Sequence, residues 1–209
     1  MWYLVALAAV CSYLLGNLNG AVIVSSIYAH DDVRTHGSGN AGLTNFARNY
    51  GGIGSLGVIL VDGGKAVLAC LLGGLLLEQH IGQVAGMAIG GLALMVGHDF
   101  PALLGFKGGK GILCGFTVAL VLDWRVALII LAVFVIAFAI TRYVSLGSLL
   151  GSAAFGVGFA VLHFGNWPIV AGGVFLGLLA IFMHRKNILR LVQGKETKTH
   201  LIHRDLNKQ

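Results

Sequence analysis

The sequence predicts an all-α protein, a polytopic bundle of transmembrane helices. Apolar residues make up 57% of the 209 positions and charged residues only 11%, and the mean hydropathy of +0.87 lies far above that of soluble domains. Apolar runs also recur along the chain, as expected when helices cross a bilayer repeatedly. We therefore expect one integral membrane domain over residues 1–209.

About seven apolar runs are candidate spans. A span needs about 20 apolar residues to cross about 30 Å of hydrocarbon, and several of the runs are shorter. Either the count is too high, or some helices end part-way where protein or water satisfies the backbone. We favour the second interpretation, because a half-length helix commonly borders a site inside the membrane. The runs cover residues 1–15, 53–77, 81–96, 111–122, 126–140, 149–164 and 167–183.

The basic residues predict the orientation, because Lys and Arg favour the cytoplasmic side. Twelve of the fourteen fall in alternate connections or after the last run, on one predicted side. Trp2, Trp124 and Trp167 fall at the opposite ends, and Trp prefers membrane interfaces. No Lys or Arg precedes the first run, so it lacks the start of a cleaved signal peptide. The amino terminus is predicted outside and the carboxy terminus in the cytoplasm.

The charge and the cysteines exclude other classes of partner. Topology and attraction to anionic lipid account for the net charge of +6, so no nucleic-acid partner is implied. Cys11, Cys70 and Cys114 lie in apolar runs without metal-ligand spacing. We predict no metal site and no cofactor.

The polar chemistry gathers in four segments on the predicted cytoplasmic side, near residues 37–48, 97–111, 142–148 and 184–196. The outer connections are short and offer little to a substrate. A functional site is therefore expected at the cytoplasmic face.

The first segment reads GSGNAGLTNFAR and has the glycine spacing of a dinucleotide fingerprint. No strand precedes it, so we reject a Rossmann fold. Closely spaced glycines still let backbone N–H groups converge on a phosphate, although a flexible surface loop is the alternative. The candidate ligands are Ser38, Gly39, Asn40, Gly42, Thr44, Asn45 and Arg48.

The second segment contains FKGGKG, in which Lys107 and Lys110 flank two glycines. This pattern suits a polyanion, but it is not a Walker loop, because no Ser or Thr follows the lysine. His98, earlier in the same segment, is a candidate general base, and orienting the loop is the alternative role.

The third segment reads RYVSLGS and the fourth reads HRKNILRLVQGKE. His184 and Asn187 are three residues apart, so they share a face if the fourth segment is helical. A basic helix lying on anionic lipid is the alternative interpretation.

Two other pairs of residues invite a functional interpretation. Asp62 and Lys65 lie inside the second run, where they can form a site or simply neutralise each other, and we favour neutralisation. His200 and Asp205 have the spacing of acyltransferases that use thioesters, but they lie in a polar tail away from the four segments.

The four segments together resemble the bacterial acyl-phosphate:glycerol-3-phosphate acyltransferase family known as PlsY. The resemblance covers GSGNAGLTN with Arg48, GHDFP with FKGGKG, RYVSLGS and HRKNILRL, in order, with the spans between them. The chain departs from the family pattern at Leu43, Leu113, Cys114 and Lys195, none of which is a predicted site residue.

The resemblance implies transfer of a fatty acyl group from acyl phosphate to the 1-hydroxyl of glycerol 3-phosphate in the bacterial cytoplasmic membrane. The product would be lysophosphatidic acid, and the enzyme that makes acyl phosphate is a candidate partner beside membrane lipid. The expected catalytic residues are Arg48, His98, Lys107 and His184, and the expected substrate ligands add Lys110, Ser145 and Asn187 to the residues of the first segment. The base would be His98, His184 or the dianionic phosphate of glycerol 3-phosphate.

Two rival classes fit less well. A transporter for an organic phosphate needs a site reachable from both faces, and here the polar residues cluster at one end. An enzyme that transfers a phosphoalcohol from a cytidine diphosphate lipid needs clustered acids for metal ions, and only eight acidic residues occur.

Overall fold

The structure is a computed structural model that describes residues 1–199, and its regular elements in that range are all helical. Short 3-10 turns cover Val33–Thr35 and Ala102–Leu104. The prediction of an all-α protein is confirmed. The helices in that range are α1 Trp2–Asn17, α2 Gly20–Ala29, α3 Leu43–Tyr50, α4 Gly52–Ile81, α5 Gln83–Asp99, α6 Ile112–Leu122, α7 Trp124–Thr141, α8 Val144–Leu162, α9 Trp167–Met183 and α10 Arg185–Val192.

Each of the seven apolar runs forms helix, but the helices differ in length. Within residues 1–199, five stretches are long and apolar enough to cross a membrane: α1 with α2, α4, α5 with the turn after it, α7 and α8. A sixth results if α9 and α10, which meet at a bend of 56°, count as one span. The remaining run, α6, has 11 residues. The number of crossings, the orientation and the extent of the domain stay predictions.

The helices pack as two neighbouring groups that share a core. α4 and α5 pack on each other and on α1, while α8 packs between α7 and α9. Small residues bring the helix axes close: a Cβ on Gly90 would collide with the carbonyl of Ala69, and one on Gly97 with that of Tyr13. The shared core is built from aliphatic residues of α4 to α9 together with Phe155 and Phe159.

Because α6 is short, the residues directly before it lie deeper in the bundle than the end of α7. Asp123 alone joins α6 to α7, and α6 has 11 residues where α7 has 18. At 1.5 Å per residue, the first residue of α6 lies about 10 Å short of the last residue of α7 along the bundle axis. The end of the segment next to α6, with Gly109, Lys110 and Gly111, is therefore recessed in the bundle, whereas Lys107 is exposed.

Candidate active site

A cavity of about 880 Å³ lies at the end of the bundle where α6 and α8 begin and α7 and α9 end, beside α3 and α10. Its mouth is polar, its depth is apolar, and all four predicted segments contribute to the lining. Among the predicted site residues, Gly39 and Lys107 do not border the cavity, and Lys107 is exposed. The polar lining includes Ser38, Asn40, Gly42, Thr44, Asn45, Arg48, His98, Lys110, Ser145, His184, Asn187, Arg190 and Glu196.

The loop before α3 is shaped by Asn45. Its Oδ1 accepts a hydrogen bond from the Ser38 N–H at 3.0 Å, and its Nδ2 donates to the carbonyl of Val33 at 2.9 Å. Gly37 has a φ of +55° and lies so close to this amide that a Cβ would meet Oδ1. We therefore interpret Asn45 as the residue that forms the loop, whereas the sequence predicted a substrate ligand.

The amino end of α3 faces the cavity with free donors. The Phe46 N–H is the first to bond within the helix, to the carbonyl of Gly42, so the earlier N–H groups of the first turn remain open. Arg48, one turn beyond Thr44, borders the cavity and makes no side-chain hydrogen bond within residues 1–199. Open N–H groups at a helix start beside a free guanidinium suit an anion.

The two lysines of the second segment have different surroundings. Lys110 borders the cavity, and its Nζ donates to Oδ1 of Asn187 at 2.6 Å. Burial, reinforced by the Arg190 guanidinium, lowers the pKa of Lys110 to about 8. A negative ligand would favour the charged ammonium, so this residue is suited to bind phosphate. The role predicted for Lys107 stays a prediction.

Ser145 and His184 place two unused polar atoms in the cavity. The Ser145 hydroxyl is buried and makes no hydrogen bond of good geometry within residues 1–199, although the Glu196 carboxylate lies near it, so a ligand or water can supply a partner. Nδ1 of His184 lies 2.8 Å from the carbonyl of Ala180, so this nitrogen must carry the proton and donate it. In the neutral ring, Nε2 then keeps its lone pair free to accept.

The sequence missed two cavity residues, Arg190 and Glu196. Nδ2 of Asn187 donates to Oε1 of Glu196 at 2.8 Å, and Nε of Arg190 donates to its Oε2 at 2.6 Å. The segment after α10 thus folds back onto the cavity mouth. The three-residue spacing of Asn187 and Arg190 was a signal for the arginine, but the return of the chain after α10, which brings Glu196 of the same segment to them, has no such signal.

Asp62 and Lys65 form a buried ion pair, with Nζ and Oδ1 2.8 Å apart. Lys65 also donates to the carbonyls of Gly16 and Leu18, at 3.2 and 2.7 Å, while Asp62 accepts from the N–H of Gly20 at 3.0 Å. The pair therefore satisfies backbone groups at the break between α1 and α2. The geometry agrees with the favoured interpretation that the two charges neutralise each other.

His98 completes this buried cluster, since its Nδ1 lies 2.9 Å from Nζ of Lys65. The ammonium has three N–H groups and only donates. Its nearest acceptors are the Leu18 carbonyl, Oδ1 of Asp62 and Nδ1 of His98. The contact to Gly16 at 3.2 Å shares one of these donors. Nδ1 of His98 therefore accepts, and the ring proton sits on Nε2. His98 is a hydrogen-bond donor toward the cavity and has no free lone pair there. Between the two candidate base histidines, the geometry favours His184.

The cluster does not fit a metal ion. Ligand atoms of Asp62, His98 and Cys114 lie within 4.8 Å of one another. The Lys65 ammonium, however, already occupies the side of Asp62 and His98 that a cation would need. A second positive charge there would be repelled.

The fold and the cavity define an integral membrane protein of the helical class whose site combines anion-binding groups with an apolar pocket. Comparison with known sequences identifies the particular family. The sequence model of the glycerol-3-phosphate acyltransferase family matches residues 6–194, and this chain belongs to that family. Such a protein is an enzyme.

Curated relatives and solved structures agree with this assignment. The glycerol-3-phosphate acyltransferase of Finegoldia magna is 38% identical over 94% of this chain and 96% of its own length. The glycerol-3-phosphate acyltransferase of Thermoanaerobacter sp. strain X514 is 38% identical over 92% of this chain and 94% of its own length. Two crystal structures of PlsY (YgiH), an integral membrane glycerol 3-phosphate acyltransferase, superpose with TM-scores of 0.84 and 0.80 at 28% identity, covering 94% of this chain and 96% or 95% of theirs. One is the glycerol 3-phosphate form and the other the lysophosphatidic acid form.

The resemblance drawn from the four segments is therefore confirmed at the level of the family. The individual residue roles stay predictions. The pairing of His200 with Asp205 lies outside the described residues.

Proposed function

We propose that this protein transfers a fatty acyl group from acyl phosphate to the 1-hydroxyl of glycerol 3-phosphate. The products are lysophosphatidic acid and inorganic phosphate, formed at the cytoplasmic face of the bacterial inner membrane. The observation that carries the proposal is one cavity whose anion-binding mouth leads into an apolar depth. Such a shape suits a phosphate and a fatty acyl chain that belong to one reaction.

Two groups of anion-binding residues border the cavity and match two phosphorylated substrates. One group combines the start of α3 with Arg48, and the other combines Lys110, Ser145, His184 and Asn187. Both solved relatives are forms with a phosphorylated ligand in their names. A fully neutral donor would leave one of these groups without a charge to bind.

The chemistry needs a base and stabilisation of the developing oxyanion. The glycerol oxygen attacks the acyl carbon, the bond from that carbon to the phosphate oxygen breaks, and the hydroxyl proton leaves. Nε2 of His184 can take this proton and pass it to the departing phosphate, and the dianionic phosphate of glycerol 3-phosphate is the alternative base. Open backbone N–H groups of the 37–44 segment can donate to the acyl oxygen in the transition state.

Acyl phosphate is a mixed anhydride with a good leaving group, so the reaction requires no covalent acyl-enzyme. Cys70 and Cys114 are buried in the bundle core and do not border the cavity, which agrees with direct transfer. The residues of this chain then act by binding, orienting and moving one proton.

The test compares donors with purified protein. Glycerol 3-phosphate is offered with palmitoyl phosphate, palmitoyl coenzyme A or palmitoyl carrier protein, and lysophosphatidic acid and inorganic phosphate are both measured. We expect the two products in equal amounts with palmitoyl phosphate. Activity with a thioester alone would overturn the proposed donor and return attention to His200 and Asp205.

A further inference from the structure

The apolar half of the cavity ends at a defined floor. α8 presents Ser145, Ser148, Gly151, Ser152 and Phe155 to the cavity, in order from the mouth to the depth. Phe155 is only 6% exposed and borders the cavity together with Ile130 of α7 and Leu176 of α9. Ten residues of helix separate Ser145 from Phe155, so the floor lies about 15 Å below the mouth.

The layer beneath this floor is filled. The rings of Phe155 and Phe159 pack with their centroids 5.1 Å apart, and Phe159 is 1% exposed. Val126 and Ile169 are buried in the same core, and neither borders the cavity. A chain that descends between α7, α8 and α9 therefore meets a closed wall at Phe155.

The pocket is kept open above the floor by a missing side chain. Gly151 borders the cavity one turn above Phe155. A Cβ built there would lie 3.5 Å from Cγ2 of Ile130, which is ordinary van der Waals contact. Packing therefore tolerates an alanine at position 151, whose methyl group would narrow the pocket beside α7.

We propose that Phe155 sets the longest acyl chain that the enzyme accepts, and that Gly151 keeps the pocket open to chains of that length. This proposal rests on the proposed function, because it assigns the acyl group of that reaction to the apolar half of the cavity.

A side route between the helices is the alternative path for the acyl chain. Leu131 borders the cavity and is 44% exposed on the outside of the bundle, so a chain that leaves sideways would pass it.

The test measures kcat/KM with lauroyl, palmitoyl and stearoyl phosphate. Removing the Phe155 ring should open space for further methylene groups, and each one buried strengthens binding about fourfold. We expect Phe155→Ala to raise the ratio of kcat/KM for stearoyl over lauroyl phosphate at least about fourfold. Gly151→Ala should lower this ratio and retain transfer from lauroyl phosphate.

Leu131→Ala is the matched variant for the side route and should leave the ratio as in the wild type. If Leu131→Ala changes the ratio and Phe155→Ala does not, the chain leaves sideways and the proposal is overturned. Phe155→Leu, which keeps the core filled, replaces Phe155→Ala if the latter is not recovered folded, and should shift the ratio in the same direction.

Binding separates this proposal from the proposed function. Lysophosphatidic acids with the same three chains are titrated into each variant. If no acyl phosphate is turned over but Phe155→Ala still shifts binding toward the longer chain, the proposed donor is overturned and the pocket floor is supported. If neither turnover nor binding responds to chain length in any variant, the floor is overturned.

Discussion

Two clusters of charged residues inside the bundle have opposite surroundings. Asp62, Lys65 and Nδ1 of His98 bond to one another and to the backbone at the break between α1 and α2, although Asp62 and His98 also border the cavity. Around the cavity, Arg48 has no side-chain partner within residues 1–199, and the buried hydroxyl of Ser145 makes no hydrogen bond of good geometry there.

The difference separates structural charges from binding charges. A buried charge is costly, so it is retained either where the protein itself compensates it or where a ligand does so. The first cluster satisfies backbone groups at the break between α1 and α2. The second cluster contains polar groups that face the cavity and have no hydrogen-bonded protein partner within residues 1–199. Substitutions in the two clusters should therefore affect different measurements, stability in one and turnover in the other.

The largest effect is expected from Lys65→Met. It leaves Asp62 as an uncompensated buried charge and removes the donor to Gly16 and Leu18, so we expect a loss of about 3–5 kcal/mol in the free energy of unfolding. The measurement is the thermal unfolding midpoint in detergent. Lys110→Met is the matched control, a lysine of the cavity whose removal should leave the midpoint near that of the wild type. A Lys65→Met protein as stable as the wild type would contradict the structural assignment of this cluster.

A smaller loss, in rate and not in stability, is expected from Arg48→Ala. A hydrogen bond to a charged group contributes about 1.5–3 kcal/mol, so kcat/KM should fall at least about tenfold. Arg34→Ala is the control from just before the first segment. Arg34 does not border the cavity, and its Nη2 lies 2.7 Å from Oδ2 of Asp32. Lys107→Ala is compared with Arg34→Ala in the same assay, and we also expect it to lose transfer of the acyl group. Full activity of Arg48→Ala would contradict the assignment of Arg48 to the site.

Lys110 should make the affinity for glycerol 3-phosphate depend on pH. Its pKa in the free protein is about 8, and a bound phosphate raises it, so binding above this pH requires uptake of a proton. KM for glycerol 3-phosphate should be constant below about pH 8 and should rise above it, by at most about tenfold per pH unit.

The control for this profile is Lys110→Arg, which stays charged at every pH tested and should give a flat profile. The substrate phosphate is already dianionic in this range, so its own titration does not interfere. A rise in KM that persists unchanged in Lys110→Arg would assign the titration to another group.

The smallest effect is expected from Arg125→Ala, at the predicted outer end of α7. Arg125 pairs with Asp123 at 2.7 Å, and the Arg125 side chain is 54% exposed whereas that of Asp123 is 6% exposed. Asp123 keeps a second partner, because Nε2 of His163 lies 2.9 Å from its Oδ2. An ion pair with an exposed arginine contributes about 0–1 kcal/mol, so both the unfolding midpoint and kcat/KM should stay near the wild-type values. A loss of activity here would show that charges far from the cavity also matter, and would weaken the contrast between the two clusters.

The fold was largely predictable because hydropathy alone determines which segments enter a bilayer. Every predicted run is helical, and the 111–122 run is the half-length helix that its shortness indicated. The break between α1 and α2 was not predicted, because no proline marks it and its compensation comes from Lys65, almost fifty residues later in the chain. α3 was also absent from the predicted spans, since it is an eight-residue surface helix of mixed polarity.

The site was predictable as four segments but not as individual contacts. Glycine, serine and basic residues reveal a capacity for anions, and their one-sided distribution reveals that the segments meet. They do not reveal that the Asn45 amide bonds to the backbone of the loop, that Lys65 fixes the tautomer of His98, or that Glu196 accepts a hydrogen bond from Asn187. Each of these depends on how the chain folds back on itself, over 7 residues for Ser38 and Asn45, 9 for Asn187 and Glu196, and 33 for Lys65 and His98, which composition and spacing do not contain.

The recess created by the short α6 has a consequence for what leaves the enzyme. Under the proposed function, Lys110 would hold the phosphate of a bound lipid product about 10 Å below the carboxyl end of α7, at the end of the bundle that is predicted to be cytoplasmic. That depth is close to the layer in which lipid headgroups lie, since this layer separates about 30 Å of hydrocarbon from water. Under the proposed reaction, a newly made lysophospholipid is already at the level of its neighbours in the leaflet. It can diffuse sideways into the membrane without carrying its charge through hydrocarbon or its chain through water.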